Sequence, residues 1–322
     1  MKAAVIDGYG GSERLEIREV PDPPPPGPGQ LLLRVRAAAV NPIDWKIRRG
    51  RMRFLMPARF PLILGYDVAG EVVAVGPEVE RFAPGDAAFG AVDVRRHGGS
   101  YAELALVREE ALVRKPNALS WEEAAALPLA GLTALQALIF QGELAVGEAV
   151  LINGAAGGVG HLAVQIAFAQ GASVTGVAGR TNQLFVRGLG AERTIDYEEE
   201  EFTALDERWD LIVDAQGNRT FRDCETVLSP AGGVYVTTHA GPDIVLWNLA
   251  TAVAGVFNRD ARRARGVRTR FNAEDLSGLS LLAERGRVHP EVAEILPLHL
   301  VAHAHDLSEA GHVRGKLVLR VE

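Results

Sequence analysis

Cysteine is almost missing: Cys224 stands alone among 322 residues. That excludes a disulfide framework within the chain and any zinc site built from several thiolates. The surrounding segment Arg222–Leu228 has helical texture, so the thiol is expected to be inert filler. Lysine is nearly as scarce. Of 34 basic residues only Lys2, Lys46, Lys115 and Lys316 are lysines, which leaves 30 arginines. The bias reads as genome composition, yet it makes a lysine inside a functional loop stand out. No uninterrupted apolar run approaches the roughly 18 residues of a membrane span. The N-terminus opens directly on strand-like Met1–Ile6, without a basic-plus-apolar leader. A soluble, cytoplasmic protein is the expectation. A basic surplus is absent too. The balance of 34 basic against 41 acidic groups gives −7, which argues against a dedicated nucleic-acid protein.

What is present is ordinary globular composition, 48% hydrophobic and 23% charged, in a length that suits two domains. The first third is β-rich. Ala3–Ile6, Leu15–Val20, Leu31–Ala38 and Val68–Val75 read as strands, and Pro21–Gly29 reads as a rigid connection between two of them. A compact, partly closed β-barrel fits that spacing. The texture changes near residue 119. Ser120 with Glu123 three places later forms a capping box before an alanine-rich helix. Apolar strands then alternate with helices: strands at Ala149–Asn153, Ser173–Val177, Leu211–Asp214 and Gly233–Thr238, with helices at Val159–Gln170, Asn182–Leu189 and Arg219–Leu228. That alternation predicts a doubly wound parallel sheet. The tail returns to β texture at Glu291–Leu296 and Lys316–Val321, around a short helix near Leu307–Gly311. We expect it to rejoin the first domain, giving residues 1–118 plus 286–322 as one domain and 119–285 as the other.

The strongest motif is Val150-Leu-Ile-Asn-Gly-Ala-Ala-Gly-Gly-Val-Gly160, a strand running through a small-residue turn into a helix. Small residues let the backbone approach a pyrophosphate, and the helix start offers free N–H groups to its charge. Ala155 stands where a first glycine is usual. An acid about 20 residues on would favour the unphosphorylated cofactor. Here Gly179 and Arg180 occupy that place, and an arginine suits the 2′-phosphate of NADPH. The acidic run Glu198–Glu201 reads as a solvated segment, and His303 and His305 as a surface segment without other convergent ligands. Two arginine-rich stretches, Lys46–Arg53 and Arg259–Arg270, read as solvated faces, as features favouring an anionic substrate, or as a weak salt-sensitive nucleic-acid contact.

The chain resembles the medium-chain dehydrogenase/reductase superfamily, in its zinc-free quinone oxidoreductase-like branch. The resemblance spans the whole chain. It rests on the Pro-Gly-Pro-Gly-Gln30 turn, Ala39-Val-Asn-Pro-Ile-Asp-Trp-Lys46, Leu64-Gly-Tyr-Asp-Val-Ala-Gly-Glu71, Phe82-Ala-Pro-Gly-Asp86, Leu127–Ala134, the glycine loop and Arg314-Gly-Lys-Leu-Val-Leu319. It implies an α/β protein. A GroES-like β-barrel domain, made of the N-terminal third plus the C-terminal tail, would hold an inserted Rossmann domain, with the active site in the cleft. It also implies NADPH, a homodimer or homotetramer, a small-molecule quinone or enone substrate, and no nucleic acid or membrane partner. Zinc-dependent relatives carry Cys where this chain has Asn41, and His-Glu where it has Tyr66-Asp67. No zinc is therefore expected.

Without a Lewis acid an alkoxide is poorly stabilised, so reduction of a quinone or an α,β-unsaturated carbonyl is favoured over alcohol oxidation. By resemblance Asn41 sits beside the nicotinamide, or simply stabilises the turn before Pro42. Asp44 would hold that loop or a ribose, or serve structure alone. Lys46 and Tyr66 are candidate proton donors, or a surface cation and a packed ring. Thr133 would touch nicotinamide. The cradle would comprise Ala155, Gly157, Gly158 and Val159, with Gly179, Arg180 and Tyr197 on the adenine side. Ala215 and Gly217 would lie under the ribose, and Thr237 and His239 at the carboxamide end. His312, Arg314 and Lys316 would reach a phosphate or the carboxamide. Two other readings stand beside this one: a zinc-independent alcohol or aldehyde oxidoreductase, and an NADPH-binding structural or sensor protein with little turnover.

Overall fold

Apolar β-branched runs such as Val150-Leu-Ile152 are buried on both sides, and each such side chain contributes about 1.5–3 kcal/mol. Those runs organise the computed structural model, which describes residues 1–94, 98–239, 241–258 and 260–321. Two compact units emerge. Unit 1 comprises Met1–Leu129, Phe271–Gly286 and the chain from Pro290 onward, and unit 2 comprises Ala130–Arg270 with Arg287–His289.

Unit 1 begins with eight strands: β1 (Lys2–Ile6), β2 (Glu16–Glu19), β3 (Gln30–Val40), β4 (Leu62–Ile63), β5 (Asp67–Val75), β6 (Ala87–Ala91), β7 (Leu104–Arg108) and β8 (Leu112–Arg114). Unit 2 holds β9 (Ala149–Asn153), β10 (Ser173–Ala178), β11 (Arg193–Asp196), β12 (Leu211–Asp214), β13 (Val234–Thr237) and β14 (Arg263–Gly266). The chain then returns to unit 1 with β15 (Val292–Pro297) and β16 (Lys316–Arg320). In unit 1 a three-stranded sheet runs β2-β1-β4, and a larger one runs β15-β16-β3-β5-β6-β8 with β7 also on β3. Leu317 lies opposite Val40 in an antiparallel pairing. The tail therefore closes onto the N-terminal third, and Lys316 is delivered to the end of β3.

The parallel sheet of unit 2 has the order β11-β10-β9-β12-β13-β14. Strand order reverses between β9 and β12, and in such sheets ligands sit beyond the carboxyl ends of the strands at that reversal. The helix Trp121–Ala126 starts at the expected capping box: Glu123 N donates to Ser120 Oγ (3.1 Å) and Ser120 N donates to Glu123 Oε2 (2.7 Å), worth about 1 kcal/mol.

Several elements differ from expectation. Between the expected strand Gly233–Thr238 and the second arginine-rich stretch, where the sequence shows no clear period, stands a 16-residue helix, Pro242–Phe257. Gly241 caps it and Pro242 occupies its first turn, where a missing N–H costs nothing. The expected helix Arg219–Leu228 shrinks to Phe221–Cys224 followed by a 3₁₀ turn. The C-terminal helix is longer, Val301–Ala310. Its period turns Val301, Ala304 and His305 inward and His303 outward. The expectation of a surface segment therefore holds for His303 and is corrected for His305. Strand β14 runs through the second arginine-rich stretch, and Arg259 lies outside the described residues. Among the described residues no helix is long and apolar enough to cross a membrane.

Candidate active site and cofactor cradle

In unit 2 the glycine loop Gly154–Val159 connects β9 to the ten-residue helix Gly160–Ala169. Gly154 has φ +80, the left-handed region that favours glycine. A Cβ on Gly160 would fall 2.0 Å from Gly154 O, so the loop doubles back tightly. A Cβ on Gly157 would meet Gly154 O at 3.4 Å, an ordinary contact. Among the described residues the amides of Gly158 and Val159 have no backbone acceptor. Free donors at a helix start are what a pyrophosphate needs. Ala155 is accommodated because Gly176 faces it. A Cβ there would approach the Ala155 methyl to 3.0 Å.

The other cofactor candidates of unit 2 lie at the same carboxyl ends. Gly179 follows β10, and a Cβ on it would come 3.0 Å from Tyr197 Oη, so the tyrosine lies across this glycine. Arg180 is 64% exposed and is held by two acids, Glu199 and, at 3.4 Å, Asp196. The sequence contains those acids but does not show that they meet Arg180. Gly217 has φ +71 and packs against His239 Cβ. Thr237 is buried, and its hydroxyl accepts from His239 N (3.0 Å). The Thr133 hydroxyl is shared with that of Thr269 at 2.7 Å.

Sequence reasoning missed the group that holds this rim together. Asp214 and Asn153 lie side by side in register at the ends of β12 and β9. Asn153 Nδ2 donates to Asp214 Oδ1 (2.8 Å). The same carboxylate accepts from Gly217 N (2.9 Å), Arg219 N (3.0 Å) and Tyr235 Oη (3.1 Å). It therefore fixes the loop bearing Ala215 and Gly217. The available signal was a polar residue ending each of two apolar strands. Cys224 is buried nearby, and burial raises its thiol pKa far above the reactive range.

In unit 1 the candidates converge on Asn41. Its side chain is buried and committed at both ends. Lys316 Nζ donates to Asn41 Oδ1, and Asn41 Nδ2 donates to Asp67 Oδ2 (2.8 Å). Lys316 also donates to Val40 O (3.3 Å) and faces Asp67 at 3.8 Å. The other Asp67 oxygen accepts from Leu129 N (2.9 Å). Burial lowers the Lys316 pKa despite Asp67 and Asp44, and burial raises that of Asp67 despite Lys316 and Asn41. Asp44 Oδ2 accepts from Asn41 N (2.8 Å) and Tyr101 Oη (3.0 Å). Burial, opposed by the Asn41 amide and reinforced by Asp67, pushes Asp44 up to about 7. Tyr101 Oη in turn lies 3.4 Å from His305 Nε2. The other ring nitrogen, Nδ1, is buried without a hydrogen-bond partner among the described residues. Burial and then Arg48 push His305 down to about 3.

Four further candidates stand apart from that cluster. Lys46 is half-buried over the Trp45 ring, and burial and then Arg51 lower its pKa. Tyr66 stacks on Phe271, centroids 6.2 Å apart, and its hydroxyl is 4.0 Å from Met56 Sδ. His312 is exposed, as is Arg314, which pairs with Glu291 at 3.3 Å.

A family model described as Alcohol dehydrogenase GroES-like domain matches residues 27–117, and one described as Zinc-binding dehydrogenase matches 189–319. The chain is 36% identical to the chloroplast envelope quinone oxidoreductase homolog of Arabidopsis thaliana, over 99% of this chain and 98% of that one. It is 34% identical to the chloroplastic NADPH-dependent alkenal/one oxidoreductase of the same plant, over 99% of this chain and 79% of that one. Among solved structures, the quinone oxidoreductase from Coxiella burnetii matches with a TM-score of 0.87 and 36% identity, covering 100% of this chain and 99% of that one. The cytoplasmic expectation is corrected by the two plant relatives, which are chloroplast proteins.

Proposed function

The chain belongs to the medium-chain dehydrogenase/reductase superfamily, in its quinone oxidoreductase-like branch, and from that premise we propose that it reduces quinones or α,β-unsaturated carbonyl compounds with NADPH and without zinc. The coarser chemistry is that of an NAD(P)H oxidoreductase acting on a small molecule. The observation that carries the finer reading is the Lys316–Asn41–Asp67 cluster. It occupies the positions where zinc-dependent relatives carry Cys and His-Glu. An amide is a weak metal ligand, and both Asp67 oxygens are already engaged beside an ammonium group. Those residues do not fit a zinc ion.

The residues of unit 2 do fit a dinucleotide. Gly157, Gly158 and Val159 would hold its pyrophosphate, and Gly179, Arg180 and Tyr197 its adenosine end, with Arg180 giving NADPH its preference. Ala215 and Gly217 would support the ribose, with Thr133, Thr237 and His239 toward the nicotinamide. NADPH supplies the hydride. The protein's part is to stabilise the negative charge left on the substrate oxygen. Asn41 keeps one amide proton uncommitted among the described residues, and its orientation is set by Lys316 and Asp67. A donor so fixed costs no reorganisation when charge develops. Lys46 and Tyr66 are the side chains proposed to supply the proton.

A panel of quinones, enones and aldehydes, assayed by NADPH oxidation after chelator treatment, tests this reading. Turnover of quinones or enones with a lower KM for NADPH than NADH is expected. Cofactor binding without turnover across the panel overturns it. For the proton, Tyr66→Phe and Lys46→Met are compared. If neither lowers kcat, water is the donor.

A further inference from the structure

One stretch of unit 1 remains unexplained by the chemistry above. Residues 46–60 contain Lys46, Arg48, Arg49, Arg51, Arg53 and Arg59 and no acid, in a chain whose net charge is −7. Arg48 and Arg49 are both paired with Glu309, at 2.7 and 2.6 Å. Lys46, Arg51, Arg53 and Arg59 have no ion pair among the described residues. Three of these four rest on aromatic faces instead. Lys46 and Arg51 share the Trp45 ring at 5.6 and 5.3 Å, and Arg53 lies 4.8 Å from the Phe54 ring. Between the cations, Phe54 and Leu55 are 87% and 77% exposed. Met52 and Met56 turn inward onto the core, and Met56 touches the Tyr66 hydroxyl. The other arginine-rich stretch behaves differently. Arg263 is tied to Glu143 at 2.8 Å and Arg262 to Leu228 O at 3.1 Å, so there the fold itself uses the charge.

Like charges this close repel: Lys46 and Arg51 lie over the same Trp45 ring, and burial and then Arg51 lower the Lys46 pKa. An anion placed among them would relieve that repulsion, and an apolar chain beside it would cover Phe54 and Leu55. The contact with Tyr66 ties this surface to the proposed proton donors. We infer that the Arg51–Phe60 segment binds the far end of an amphiphilic substrate: a quinone or enone on an apolar chain that ends in a carboxylate. The inference rests on the proposed reductase activity and names its substrate class.

The holoenzyme at saturating NADPH is assayed with a long-chain enone ending in a carboxylate and with its methyl ester. The ratio of the two kcat/KM values is the readout. At low salt the carboxylate is favoured by about three- to ten-fold, through KM, as a few exposed charge contacts allow. The preference shrinks toward unity at roughly 0.5 M salt. It also shrinks in the triple variant Arg51→Gln, Arg53→Gln, Arg59→Gln, and it persists in the matching triple lysine variant. A ratio near or below one in the wild type overturns the inference, as does a ratio that the glutamine variant leaves intact or the lysine variant abolishes. Sedimentation with vesicles of equal parts phosphatidylglycerol and phosphatidylcholine covers the alternative of a lipid surface. Arginine-dependent vesicle binding with an unchanged ratio assigns the patch to membranes and overturns the inference. Turnover of the ester without a carboxylate preference overturns this inference alone. No turnover of any enone or quinone overturns the reductase reading, and this inference with it.

Discussion

Asp44 and His305, bridged by Tyr101, make opposite demands on pH, and separating them is a quantitative test of the buried network. Asp44 in the folded chain is raised to about 7 from 3.8. The native state therefore holds a proton that the unfolded chain has lost. Its stabilising contribution is complete below pH 3.8 and is lost as pH rises toward 7. His305 is lowered from 6.5 to about 3. The native state lacks a proton that the unfolded chain binds. Its contribution is complete above pH 6.5 and is lost as pH falls toward 3. Between pH 4 and 6.5 the two slopes oppose each other and nearly cancel. Asp44→Asn keeps an acceptor for Tyr101 and removes one slope, leaving His305 alone. At 1.36 kcal/mol per unit, the variant should lose about 3 kcal/mol relative to wild type as pH falls from 6.5 to 4. His305→Gln should do the reverse, losing about 3 kcal/mol as pH rises over the same range. Asp67 is also raised by burial, but it is common to all three proteins and drops out of the differences. Urea unfolding at several pH values measures them. Parallel pH profiles for wild type and both variants would refute the assignment of protons in this cluster.

Other outcomes follow from the same geometry. Arg180→Ala should raise KM for NADPH by about ten-fold or more, the value of a charged hydrogen bond, while KM for NADH stays near wild type. Glu199→Gln should lower KM for NADPH a few-fold, because it frees Arg180 from a competing carboxylate; steady-state kinetics with both cofactors reads each effect, and an unchanged preference in Arg180→Ala removes the arginine from the cofactor site. Lys316→Met should destabilise the protein by about 3–5 kcal/mol in denaturant unfolding, since it leaves Asp67 buried without its counter-charge. Adding Asp67→Asn should recover part of that loss, and a double variant no better than the single one counts against the pairing.

Much of the fold was legible because its information is local. The runs Ala149–Asn153 and Leu211–Asp214 are apolar along their whole length, and the Ser120–Glu123 box is spelled out in four residues. Strand β14 was not legible. Its sequence is Arg-Ala-Arg-Gly, only Ala264 is buried, and it is a strand solely because β13 offers it an edge. The helix Pro242–Phe257 was hidden by its own surface, where Val245, Leu246, Leu249, Val253, Val256 and Phe257 are exposed. With apolar residues on the outer face as well, no polar stripe marks the period. At the site, residue types were readable but their partners were not. Asn41 and Lys316 lie 275 positions apart, and the pairing of β16 with β3 is what brings them together. Lys316 was expected to reach the cofactor, whereas its ammonium is turned inward onto Asn41 and Asp67. Nothing local distinguishes those fates. His305 differs from His303 only in helical phase, which an expectation of a shorter helix could not provide.

The reaction proposed is hydride transfer from NADPH to a conjugated carbon without a metal. Deuteride transfer tests it most directly. Protein treated with chelator and shown to be zinc-free is supplied with NADPH carrying deuterium at both C4 positions of the nicotinamide and with an enone. Turnover unaffected by chelation is expected, with deuterium at the product's β-carbon and a solvent-derived proton at the α-carbon. Turnover that disappears on chelation and returns with zinc, or a product without deuterium at that carbon, would contradict it.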